Sequence, residues 1–198
     1  DEAGWDYVEK SMTGSLEKGK GFGLSKLDKH LLFKEKQYVL CVGRQNIGKT
    51  TVLAWMFVQL AKQHPHMRFL VLSMENTIGQ VKRAILIFYL GKRLSDVTPE
   101  EYAGGKAWVH KHFRFLNPLK RYSVYKAIKA GEQMLDQWPY HAFWVDPYNA
   151  LKVNLKELGV SNGYEYHLEA SNSLQYFAQN HTGIWLNTHV YTGASRHG

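Results

Sequence analysis

Gly43-Arg44-Gln45-Asn46-Ile47-Gly48-Lys49-Thr50 decides how this chain is read. The stretch satisfies G-x-x-x-x-G-K-[ST], the pattern of a loop that wraps a chain of phosphates. The two glycines let the backbone turn tightly, so that several N–H groups face inward. A helix that starts near Lys49 would present its positive end to the same anion. Lys49 supplies a mobile point charge, and the Thr50 hydroxyl can ligate a divalent cation beside the phosphates.

The neighbouring sequence fits that mechanism. Residues 37–42 form an apolar strand directly ahead of the loop. Residues 49–64 carry an apolar face and stop at Pro65, as a helix should. Further along, strands are expected at 68–73, 113–116, 141–145 and 183–188. Helices are expected at 77–90, closed by Gly91, from Thr98 onward, at 124–138 and at 164–180. Thr98, Pro99 and Glu101 spell a capping box with proline in the first turn. A short helix within 24–33 would turn Leu27, Leu31 and Leu32 inward. Strands alternating with helices predict an α/β fold with a mainly parallel central sheet flanked by helices. Residues 1–23, polar and rich in Lys and Gly, read as an arm or linker, which leaves 24–198 as one domain.

Parallel sheets place ligands at the carboxyl ends of their strands. Three strands end there in polar residues. Ala142-Phe143-Trp144-Val145 runs into Asp146, which would hold Mg²⁺ together with Thr50. Phe69-Leu70-Val71-Leu72-Ser73-Met74 runs into Glu75, which would act as general base for an attacking water. Ile184-Trp185-Leu186-Asn187-Thr188 runs into His189, placed to contact a terminal phosphate. The ligand set is thus ATP with Mg²⁺, cradled by Gly43, Arg44, Gln45, Asn46, Ile47, Gly48, Lys49, Thr50 and Thr51.

Composition narrows the partners. The formal charge of +8 favours a polyanion such as nucleic acid. The single cysteine, Cys41, excludes an intramolecular disulfide and reads as a small buried hydrophobe. The longest apolar runs, such as residues 84–90, are far too short to cross a bilayer. The start at Asp1 suggests a piece of a longer protein. His64, His66, His110 and His112 have no accompanying cysteines or spaced acids and read as surface histidines.

Taken in order, these pieces resemble the RecA-like motor domain of hexameric replicative helicases: the DnaB type, the phage T7-type primase-helicases and the Twinkle group. The likeness runs from Gly21-Phe22-Gly23-Leu24-Ser25-Lys26-Leu27-Asp28, through the Walker A loop ending at Thr51 and the short Ser73-Met74-Glu75 motif. It continues through Walker B at Phe143-Trp144-Val145-Asp146 to a sensor strand ending in Thr188-His189. The resemblance implies a sensor strand inserted between the Walker A and Walker B strands. It also implies a homo-oligomeric ring, with ATP at each interface and single-stranded DNA in the channel. Two loops would hold the DNA, 149–163 with Lys152 and Lys156, and 191–198 with Arg196. An arginine finger acting across the interface would lie beyond residue 198. The setting implied is cytoplasmic in preference to mitochondrial, with no membrane partner. Asp146-Pro147 departs from the DnaB pattern and is similar to RepA-type relatives. An ATP-dependent DNA helicase motor is the leading expectation. A RecA/RadA- or RepA-like DNA-dependent ATPase, or an ATP-switched loader or scaffold, remains open beside it.

Overall fold

A computed structural model describes residues 2–16 and 18–190. Five strands, β1 (Tyr38–Gly43), β2 (Phe69–Ser73), β3 (Phe113–Phe115), β4 (Ala142–Asp146) and β5 (Gly183–His189), form one sheet in the order β1-β5-β4-β2-β3. Every pairing is parallel. The sheet is covered on both faces, and β2 and β4 are buried at every position for that reason. β5 lies between β1 and β4, as the resemblance implied.

The helices are α1 (Glu2–Met12), α2 (Ser25–Asp28), α3 (Lys49–Gln63), α4 (Ile78–Leu90), α5 (Pro99–His112), α6 (Val124–Gln137), α7 (Leu155–Leu158) and α8 (Gly163–Asn180). Side chains alternate between sheet faces along each strand, and this splits the core in two. Phe69, Val71, Trp144 and Trp185 pack with Phe57 of α3 and with α4 and α5. Leu70, Leu72, Phe143, Val145, Ile184 and Leu186 pack with α6 and α8. Phe57 anchors the first layer, with its ring 4.6 Å from Phe69, 5.7 Å from Trp144 and 5.5 Å from Trp185.

Local chemistry sets the helix ends. Thr98 and Glu101 form the expected capping box on α5, and Thr77 with Gln80 forms another on α4. Gly91 closes α4 in the left-handed conformation, with φ of 69°. Each strand, and each long helix from α3 onward, lies within a residue or two of its expected span.

Within the arm, α1 is a helix whose Trp5, Val8 and Met12 are exposed. Phe22, read as part of the arm, is fully buried against Trp185. His112 is not a surface histidine. It is buried at the end of α5, where its Nδ1 lies 2.7 Å from the Met67 carbonyl oxygen, and burial pushes its pKa down. Cys41 is half-buried, and its thiol pKa is raised by burial. Helix α2 covers only four residues, with Leu27 and Leu31 packed on the core.

Candidate functional site

Parallel register brings the polar strand ends to one crest. Gly43 stands opposite His189 across β1 and β5, and Ser73 stands opposite Asp146 across β2 and β4. The loop between β1 and α3 adopts two left-handed residues, Asn46 at φ 62° and Gly48 at φ 92°. A side chain at Gly48 would be strained there. Gly48 also caps α3, and no side chain caps it in turn. The first-turn amides of α3 therefore lack a side-chain acceptor, which is the arrangement that receives an anion at a helix start.

Lys49 is buried, at 8 % exposure. Its ammonium donates to the carbonyls of Gly43 at 2.9 Å and Arg44 at 2.7 Å, and lies 3.2 Å from His189 Nδ1. An ammonium can only donate, so Nδ1 accepts and the ring proton sits on Nε2. Nε2 lies 3.2 Å from Glu75 Oε2 and so donates to it. The other carboxylate oxygen, Oε1, accepts from Gln45 Nε2 at 2.8 Å. Glu75 is thus gripped from both sides, by the loop and by the sensor strand. The turn that carries it is fixed by Ser73 Oγ donating to the Asn76 carbonyl and by the Met74 amide donating to the Asp146 carbonyl.

Beside this chain lies a hydroxyl–carboxylate pair. Thr50 Oγ1 donates to Asp146 Oδ2 at 2.6 Å, and Asn187 Nδ2 donates to Asp146 Oδ1 at 2.7 Å. Asp146 is 2 % exposed. Burial raises its pKa; the two hydrogen bonds and Lys49 oppose that, while the charge of Glu75 adds to it. A divalent cation here would remove the penalty of burying that charge. Among the described residues no cluster of three or more His, Cys, Asp or Glu could hold a metal ion by itself. A cation at Thr50 and Asp146 would have to complete its shell with phosphate oxygens and water, as Mg²⁺ does. The donor set fits Mg²⁺ and a phosphate chain.

These groups line a cavity of about 370 Å³ that includes Lys49, Thr50, Thr51, Glu75, Asp146 and His189. The expected phosphate, metal, base and sensor residues therefore converge. Lys152 and Lys156 do not join them: both are exposed on the segment after β4, Lys156 on α7. Arg196 lies outside the described residues. Sequence reading missed three partners: Asn187 on Asp146, Gln45 as a clamp on Glu75, and Asn149. The Asn149 Oδ1 accepts from the His189 amide at 2.7 Å and from Thr188 Oγ1 at 2.8 Å. The only sequence signal for Asn187 was a polar residue inside an otherwise apolar strand.

No protein-family model matches the chain, and no curated protein matches it. Solved structures do. One solved ATPase domain superposes with a TM-score of 0.68 over 95% of this chain and 70% of that one, at 13% identity. A DnaB-like replicative helicase, solved in a study of its interactions with primase, gives a TM-score of 0.68 over 94% of this chain, at 15% identity. This chain spans about half of that protein, 47% of its length. Likeness at such identities is likeness of fold. By its strand order and these superpositions, the chain has a RecA-like α/β fold.

Proposed function

We propose that this chain is an ATP-hydrolysing motor domain of a replicative-type DNA helicase, acting on single-stranded DNA within a homo-oligomeric ring. The observation that carries the reading is the hydrogen-bonded run Lys49–His189–Glu75–Gln45 beside the Thr50–Asp146 pair. It brings together at one sheet crest the residues that would serve as phosphate cation, general base, sensor and metal pair.

The loop amides from Asn46 to Thr50 and the Lys49 ammonium would bind the phosphates. Lys49 leaves its loop carbonyls to do so. Thr50 and Asp146 would hold Mg²⁺, which neutralises charge on the β- and γ-phosphate oxygens when bound. Glu75 accepts the proton of the attacking water once one of its two donors lets go. His189 moves with Lys49 because the two share a hydrogen bond, and it thereby senses whether the terminal phosphate is present. Lys152, Lys156 and Arg196 lie on segments that would track the phosphates of single-stranded DNA.

Turnover of Mg·ATP, measured with and without single-stranded DNA, tests this directly. Stimulation by DNA, lost in Lys49→Ala, supports it, and forked-DNA unwinding by an assembly containing the chain would make it a helicase. Strand exchange would instead support a recombinase, and slow DNA-insensitive turnover would support a switch.

A further inference from the structure

The loop after β4 touches the site on one side and a second cavity on the other. Asn149 holds the end of the sensor strand through the His189 amide and the Thr188 hydroxyl. Asn149 sits inside one tight turn, in which the Ala150 amide donates to the Pro147 carbonyl and the Leu151 amide to the Tyr148 carbonyl. Leu151 is buried, which pins the turn to the core. Lys152 then anchors to a different part of the fold. Its amide donates to the Tyr122 carbonyl at 2.8 Å, and its own carbonyl accepts from Tyr166 Oη at 3.2 Å.

Ala150 and Lys152 also line a cavity of about 370 Å³ with Met74, Pro118 and Arg121. Among the described residues, two cations and no acid line it. Arg121 is held at φ 43°, a left-handed position unusual for a residue with a β-carbon. Met74 in its wall is the residue before Glu75. The cavity is therefore a basic recess with room for a phosphate, separated from the nucleotide crest by one short, doubly anchored turn.

We propose that Asn149 is the joint through which single-stranded polynucleotide at the Arg121–Lys152 recess and nucleotide at the phosphate loop alter each other's affinity. The inference rests on the reading of this loop as a polynucleotide contact. A phosphate drawn in beside Lys152 displaces a turn too short to absorb the movement, and the Asn149 Oδ1 passes it to the His189 backbone. His189 in turn holds Lys49 and Glu75. Asn149 touches no reacting atom; it is a positioning residue, and coupling of this kind must be reciprocal.

The test is equilibrium linkage in the whole chain. Affinity for a fluorescent oligothymidylate is measured with and without Mg²⁺ and a non-hydrolysable ATP analogue, at one salt concentration, and the converse titration is run. Wild type should show a linkage factor of about fivefold or more, equal in both directions. Asn149→Leu keeps the volume but removes the acceptor, and should bring the factor close to one. Asn149→Asp keeps an acceptor oxygen and should restore most of it. His189→Ala should abolish linkage equally, with no further loss in the double variant. A role confined to holding the strand end would lower thermal stability in Asn149→Leu and leave the linkage factor unchanged, which overturns the proposal. Wild type that binds both ligands without linkage also overturns it, while the motor reading stands. Wild type that binds nucleotide but no oligothymidylate removes both.

Discussion

Asn187→Leu separates what stabilises the fold from what prepares the site. Asn187 is fully buried, donates to Asp146 at 2.7 Å, and leaves its own Oδ1 without a partner. Leucine has nearly the same shape. The substitution deletes a hydrogen bond to a charged group, worth about 1.5–3 kcal/mol, and also deletes an unsatisfied buried oxygen that costs about 1–3 kcal/mol. The two terms oppose each other, so folding stability should change by no more than about 2 kcal/mol. Nucleotide binding has no such offset. Asp146 already has its pKa raised by burial, and the Asn187 hydrogen bond is one of the groups holding it down. Removing it raises that pKa further. A raised carboxyl pKa favours the protonated form, so Mg²⁺-dependent binding is full well above that pKa and fades as pH falls toward it. In Asn187→Leu the fading should begin at higher pH than in wild type. Thermal denaturation gives the stability change, and titration of a fluorescent ATP analogue with Mg²⁺ across the mildly acidic to neutral range gives the binding profile. An unfolded variant, or profiles that superimpose at every pH, would refute the reasoning.

Other substitutions probe separate parts of the site. Glu75→Gln keeps an acceptor for Gln45 but cannot take a proton; ATP turnover should fall by about 10²–10³-fold while analogue binding stays within a few-fold. Equal turnover would place the base elsewhere. Gly48→Ala should lose about 1–2 kcal/mol of stability from its left-handed backbone and bind Mg·nucleotide much more weakly. Unchanged affinity would mean that the loop conformation is not what grips the phosphates. Replacing Lys152 and Lys156 together by Ala should flatten the salt dependence of oligonucleotide binding by roughly one log unit per lost phosphate contact; identical slopes would take this loop out of the DNA path.

The sheet and the phosphate loop were legible because their signals are local. The glycines around Arg44–Ile47, the apolar run before them and the proline at 65 each constrain only their neighbours. Strand β5 was visible as an apolar run, but its place between β1 and β4 came from the resemblance, since hydrophobic periodicity carries no strand order. Asp146, Glu75 and His189 could be nominated because a parallel sheet collects its strand ends. Their partners could not: Gln45 meets Glu75, and Asn149 meets His189, only after the chain has crossed the sheet. His112 and Phe22 were misread for the same reason, because each is buried by a contact distant in sequence, with Met67 and Trp185. Helix α1 did carry a signal, with Trp5, Val8 and Met12 spaced along one helical face, but its mixed charge reads equally as a solvated arm.

Every proposed role at the crest requires a triphosphate held there by the loop amides and the Lys49 ammonium. Isothermal titration of the chain with a non-hydrolysable ATP analogue and Mg²⁺ measures that directly. One saturable site per chain, lost in Lys49→Ala and weakened when Mg²⁺ is withdrawn, is the predicted result. No heat of binding in the wild type, or the same affinity in Lys49→Ala, would contradict it.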